Sequence, residues 1–164
     1  MDRLYTPWRL DYMKGTSGEK TGTGDVCVFC SIAAREDDEK TFVLHRAAHN
    51  FVVLNVYPYT SGHLMIVPFE HTADFSGLPK ETSDELMDLA KRTQSILEET
   101  YRPHGFNLGM NLGRAAGAGV SDHLHLHILP RWFGDANFMT TVGEARVIPE
   151  DLRTTYERLR GRFT

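Results

Sequence analysis

Apolar and polar residues change rhythm along this chain of 164 residues. Within residues 41–68, three β-rich runs (41–45, 50–56 and 63–68) are separated by turn-forming residues, the pattern of an antiparallel meander. The period then becomes helical. Leu86, Leu89, Ala90, Thr93, Ile96, Leu97 and Tyr101 recur at helical intervals behind Thr82-Ser83-Asp84-Glu85, which has capping-box spacing. Pro103 and Gly105 close this helix. Two more strands are predicted over 106–112 and 123–130, joined by the Gly/Ala-rich stretch 113–119. A second amphipathic helix is predicted over 150–162, with Leu152, Tyr156, Leu159 and Phe163 on one stripe. Strands in runs broken by one long helix predict an α+β architecture: an antiparallel sheet of about five strands with one long helix and a C-terminal helix packed on it.

Composition narrows the setting. Hydrophobic residues make up 41% of the chain, enough for one domain with a substantial core. The single domain is read as a mobile N-terminal segment (1–26), a core (27–132) and a C-terminal extension (133–164). Residues 14–25 are rich in Gly, Ser and Thr and offer nothing apolar to bury, so a mobile loop is expected there. A net charge of −4 argues against a long nucleic acid partner, while a small anion needs only local donors. The first residues lack the pattern of a signal peptide, and no apolar run is long enough to span a bilayer. The expectation is a soluble cytoplasmic protein with no membrane anchor.

The chemistry concentrates in His123-Leu124-His125-Leu126-His127-Ile128-Leu129. In a strand, alternate side chains share a face, so three imidazoles lie on one side and Leu124, Leu126 and Ile128 on the other. Such a row is costly unless used, because each ring needs partners and each charge opposes the next. A solvent-exposed polar face and a three-histidine metal site are the competing readings. The glycine-rich stretch leading into this strand permits backbone N–H groups to approach phosphate oxygens, although such loops also serve as plain hairpin connections.

At these residues the chain resembles the histidine-triad family, whose pattern is His-φ-His-φ-His-φ-φ with φ apolar. Asn55-Val56-Tyr57-Pro58 and Gly62-His63-Leu64-Met65-Ile66-Val67-Pro68 are similar to the family's upstream strands, so the resemblance covers residues 27–132. It implies an enzyme that cleaves or transfers nucleoside phosphates through a nucleotidyl-histidine intermediate. His125 would be the nucleophile and His127 the donor to phosphate or leaving-group oxygen. A backbone carbonyl would fix the His125 tautomer. Asn55 would contact the ribose hydroxyls, and Asn111, Gly117, Gly119 and Ser121 would serve the nucleotide phosphates. The family often carries Ser or Thr three residues before the first triad histidine; here Val120 stands there, beside Ser121. A homodimer is also implied.

Cys27 and Cys30 are the only cysteines. On spacing alone they are metal ligands, a redox pair or two unrelated buried thiols. Within the resemblance, some members complete such a pair with a histidine after the third strand and the first histidine of the triad. Those positions match His71 and His123. Cys₂His₂ saturates tetrahedral zinc, so the implied metal is structural.

Two flanking stretches, Arg3-Leu4-Tyr5-Thr6-Pro7-Trp8-Arg9 and Pro130-Arg131-Trp132-Phe133-Gly134-Asp135-Ala136-Asn137-Phe138-Met139, resemble the bacterial branch of the family that acts on diadenosine tetraphosphate. This implies a dinucleoside polyphosphate phosphorylase or hydrolase. A nucleoside phosphoramidase, a non-catalytic nucleotide-binding regulator and a zinc-dependent interaction module are the alternatives. Arg131 and Asn137 are candidate contacts to a second nucleotide, whereas Trp8, Trp132 and Phe133 also suit plain packing of the termini.

Overall fold

A computed structural model describes residues 26–143 and 148–163. Residues 1–25, all of the N-terminal segment but Val26 and including the loop expected at 14–25, lie outside the described residues. Two short helices, α1 (Val28–Ala33) and α2 (Asp38–Thr41), precede the strands β1 (Val43–Arg46), β2 (Asn50–Leu54) and β3 (Leu64–Pro68). The long helix α3 (Lys80–Tyr101) follows, then β4 (Gly105–Gly109), β5 (Leu126–Arg131), a short α4 (Phe138–Thr141) and α5 (Leu152–Leu159). The five strands form one antiparallel sheet in the order β1-β2-β3-β5-β4. This is the α+β arrangement expected from the pattern.

The period-2 alternation sorts the central strands between two cores. Val52, Leu54, Leu64, Ile66, Leu126 and Ile128 face α3 and α5, whose Leu86, Leu89, Ile96, Leu97, Tyr156 and Leu159 close over them. Phe51, Val53, Met65 and Val67 face the other way and pack with Phe29 of α1. Both faces of β2 and β3 are covered, so these strands are apolar throughout. The thinly covered face, under α1, is the face that carries the histidines. Gly62, at φ +73°, makes the turn into β3; a Cβ there would sit 3.2 Å from the side chains of Leu97 and Tyr101, which explains a glycine at this position.

Several boundaries differ from the sequence reading, each for a visible reason. The long helix starts at Lys80 behind Pro79, and Thr82 is buried inside it instead of capping it. Glu85, the other half of the expected box, accepts from the backbone N–H of Ala48 and His49 and from Asn50 Nδ2, at 2.8–2.9 Å. It closes the β1–β2 turn instead. Thr41 ends α2 where a strand was expected to begin. The terminal helix is shorter than 150–162: Asp151 caps it by accepting from the Thr154 N–H, and Arg160 has already left helical geometry. Glu150 turns inward to accept from the Tyr101 hydroxyl at 2.6 Å.

The histidine strand is shortened too. Its ladder begins at Leu126, so His123 and His125 precede it. Leu64 pairs with Ile128 and Ile66 with Leu126, a register that would set Leu124 opposite Pro68. Pro68 has no N–H to give. The Leu124 N–H donates to the Thr72 carbonyl at 2.8 Å instead. β4 likewise ends at Gly109, opposite His127, and leaves Asn111 in the loop.

Candidate functional site

His123, His125 and His127 are all buried on the α1 side of the sheet. Ring centroids of His125 and His127 lie 4.8 Å apart, nearly perpendicular. His125 Nδ1–H donates to the His123 carbonyl at 2.9 Å. With that nitrogen protonated, the lone pair of a neutral ring sits on Nε2.

A fourth histidine, absent from the sequence-level candidates, fixes the neighbouring ring. His63 is fully buried at the start of β3, and its Nε2 lies 2.9 Å from His127 Nδ1. The backbone N–H of Tyr59 donates to His63 Nδ1 at 3.2 Å, so in the neutral ring the proton is on Nε2. His63 Nε2–H therefore donates to His127 Nδ1, which leaves His127 with its own proton on Nε2. Two chains of hydrogen bonds thus set opposite tautomers side by side: His125 offers a lone pair and His127 an N–H. Alternation along β3 carried the signal, since His63 shares a face with Met65 and Met65 pairs with His127.

Burial keeps these rings neutral. Burial first, and the neighbouring imidazoles after it, together lower His63 to about 3 and His127 to about 4. His125 is also lowered by burial, against the opposing pull of the His123 carbonyl. Because His63 and His127 titrate lower in the folded chain than the ordinary value of about 6.5, the unfolded chain binds more protons below that pH. Their contribution to stability is complete above about pH 6.5 and is lost as pH falls from there toward about 4 for His127 and about 3 for His63. The expected thermal midpoint is flat on the alkaline side and declines through that window. A midpoint unchanged from about pH 7 to about pH 4.5 would contradict neutral burial.

Around His125 and His127 a cavity brings together Asn55, Asn111, Gly117 and Gly119 with Phe29 and Tyr57. Asn55 is oriented by its neighbours: its Oδ1 accepts from the Tyr57 N–H at 2.9 Å and its Nδ2 lies 3.3 Å from His63 Nδ1. Gly117, at φ +86°, ends a 3-10 turn and donates its N–H to the Arg114 carbonyl at 3.0 Å. That amide is engaged within the loop. Ser121 does not line the cavity; its hydroxyl donates to Asp122 at 2.9 Å, while Val120 does line it.

Beyond the triad, Arg131 is not free to reach a second nucleotide. Its guanidinium forks onto Asp135 at 2.6 and 2.8 Å and onto Asn107 at 2.5 Å. Asn137 caps α4 by accepting from the Met139 N–H. Trp132 and Phe133 line a separate cavity of about 510 Å³, which adjoins the first across Tyr59.

Cys27, Cys30, His71 and His123 converge, with one ligand atom from each lying within 4.8 Å of the others. Cys27 Sγ is 3.3 Å and Cys30 Sγ 3.7 Å from His123 Nδ1, and Cys30 Sγ is 3.2 Å from His71 Nδ1. Zn–S bonds near 2.3 Å and Zn–N bonds near 2.0 Å imply a tetrahedral S···N edge of about 3.5 Å. The donor set fits. His123 Nε2–H donates to the Pro68 carbonyl at 2.9 Å, which leaves Nδ1 as the ligand atom. Arg46 pins the far end of α1, donating to the carbonyls of Ile32, Ala33 and Arg35.

No helix among the described residues is long and apolar enough to cross a membrane. Comparison with known proteins agrees with the site. A family model described as HIT domain matches residues 36–134. The AP-4-A phosphorylase of Mycobacterium tuberculosis is 39% identical over 158 residues, covering 94% of this chain and 80% of that protein. A zinc-bound histidine triad family protein from Mycobacterium smegmatis superposes with a TM-score of 0.66 at 29% identity, over 83% of this chain and 91% of that one. A hypothetical histidine triad nucleotide-binding protein from Sulfolobus tokodaii gives the same score and coverage at 27% identity. With its triad, its sheet and its matched domain in agreement, the chain belongs to the histidine-triad (HIT) family.

Proposed function

We propose that the protein is a nucleotidyl transferase that cleaves dinucleoside polyphosphates, diadenosine tetraphosphate above all, and passes the nucleotide to inorganic phosphate or water. The observation that carries this reading is the paired tautomers: a lone pair on His125 Nε2 beside an N–H on His127 Nε2. His125 Nε2 attacks the α-phosphorus, forming a P–N bond as the P–O bond to the remaining phosphates breaks. The positive charge that develops on the ring is met by the His123 carbonyl, which keeps its bond to Nδ1–H. His127 Nε2–H donates to the departing or nonbridging oxygen, electrostatic help that is preorganised by His63. An acceptor oxygen then attacks the same phosphorus and releases His125. Asn55, Asn111 and Gly119 bind nucleoside and phosphates around the cavity, Gly117 shapes its wall, and Ser121 serves the phosphates only if its hydroxyl leaves Asp122.

Cys27, Cys30, His71 and His123 hold a structural zinc ion. It saturates its four ligands and leaves no place for substrate, so it braces α1 against the sheet. The protein acts as a cytoplasmic homodimer, with neither a nucleic acid polymer nor a membrane as partner.

The activity is tested by incubating the protein with diadenosine tetraphosphate, with and without inorganic phosphate. With phosphate, ATP and ADP are expected; ADP formed only when phosphate is present marks a phosphorylase, whereas ATP and AMP in both mixtures mark a hydrolase. An intact dinucleotide in both, alongside turnover of a nucleoside phosphoramidate, overturns the reading.

A further inference from the structure

Phe29 lies between the two cysteines in sequence and is buried against both halves of the site. Its ring centroid is 5.4 Å from that of His123, edge-on, and 5.1 Å from that of His125, tilted by 44°. His127 meets the His125 ring at 4.8 Å. One hydrogen bond sets the His125 tautomer, and packing against the ring holds it where Nδ1–H reaches the His123 carbonyl. Phe29 and His127 supply this packing.

The same helix depends on the Cys₂His₂ cluster. α1 is anchored at its C-terminal end by the three carbonyl bonds of Arg46 and at its N-terminal end by Cys27 and Cys30. Phe29 belongs to the cysteine end. His123 serves both sides, with its ring in the cluster and its carbonyl on His125 Nδ1–H. We infer that Phe29 is a positioning residue for His125, holding the ring with its Nε2 lone pair available to substrate, and that it does so only while the Cys₂His₂ cluster is closed on its metal. This rests on the proposal that His125 is the nucleophile.

The test combines kinetics with the ring nitrogen spectrum of His125 in substrate-free protein. Phe29→Leu is expected to keep one zinc ion per chain and a KM within about twofold of wild type, while kcat falls about tenfold to a hundredfold, the scale of a misplaced reacting group. In the spectrum, the single tautomer protonated on Nδ1 gives way to a mixture of two. Wild-type protein stripped of metal by a chelator is expected to show the same mixture. Should Phe29→Leu fail to fold, Phe29→Met and the stripped wild type carry the same readouts. A single His125 tautomer in both the variant and the stripped protein overturns the inference. So does a raised KM with kcat unchanged, which would make Phe29 only a wall of the substrate cavity. If wild type turns over no dinucleotide, the proposed activity falls, and the ring spectra alone decide the role of Phe29.

Discussion

Replacing His125 with Asn is expected to reduce nucleotidyl transfer by on the order of 10⁴-fold or more, the scale of deleting a nucleophile, while nucleotide binding is retained. The reason is local. Asn preserves a short polar side chain next to the His123 carbonyl but has no lone-pair nitrogen to form the phosphoramidate bond. His127, His63 and Asn55 keep their own hydrogen bonds, none of which passes through the His125 side chain. Single-turnover assays and equilibrium titration with a nucleoside monophosphate check the two halves separately. Full activity in this variant would remove covalent catalysis, and loss of binding along with activity would mean that the substitution collapses the cavity.

The second large effect is expected at the cysteine cluster. Cys27→Ser exchanges a strong metal ligand for a poor one, and the N-terminal end of α1 then loses the ion that ties it to His71 and His123 and rests on Phe29, the neighbouring apolar contacts and the Cys30–His71 contact. Loss of a structural metal belongs among the largest single-residue effects, about 3 kcal/mol or more. In a chain of this size that is roughly a 10 °C fall in the thermal midpoint. The purified wild type is expected to contain one zinc ion per chain by elemental analysis, and the variant substantially less. Wild-type protein with reduced thiols and no metal, together with an unchanged midpoint in Cys27→Ser, would refute the structural zinc.

How much of this was legible in the sequence depends on the range of the interaction. Alternation in 123–129 and helical recurrence from Leu86 to Tyr101 are local patterns; the first survives in β5 from Leu126 onward and the second in α3. The Thr82–Glu85 spacing is local too, yet Glu85 is claimed by the turn at Ala48 and His49, a tertiary contact that no spacing rule contains. The ladder stops short of His125 because a proline lies opposite Leu124, which required the register of β3 against β5. His63 was hidden for the same reason. It lies 64 residues from His127, and its proton-donating role follows only from the N–H of Tyr59 beside it. Conversely, Cys27, Cys30, His71 and His123 were grouped by resemblance, and the fold brings those four together. Arg131 drew attention as a candidate contact to a second nucleotide, but Asp135 and Asn107 occupy its guanidinium.

In the proposed reaction His125 carries the nucleotide between donor and acceptor. Rapid acid-free quenching of the protein with diadenosine tetraphosphate, followed by proteolysis and mass spectrometry, tests it directly. An adenylyl group is expected on the peptide containing residues 123–127, localised to His125, and disappears when phosphate or water is given time to accept it. Steady product formation with no adduct on any histidine at any quench time would contradict this role of His125.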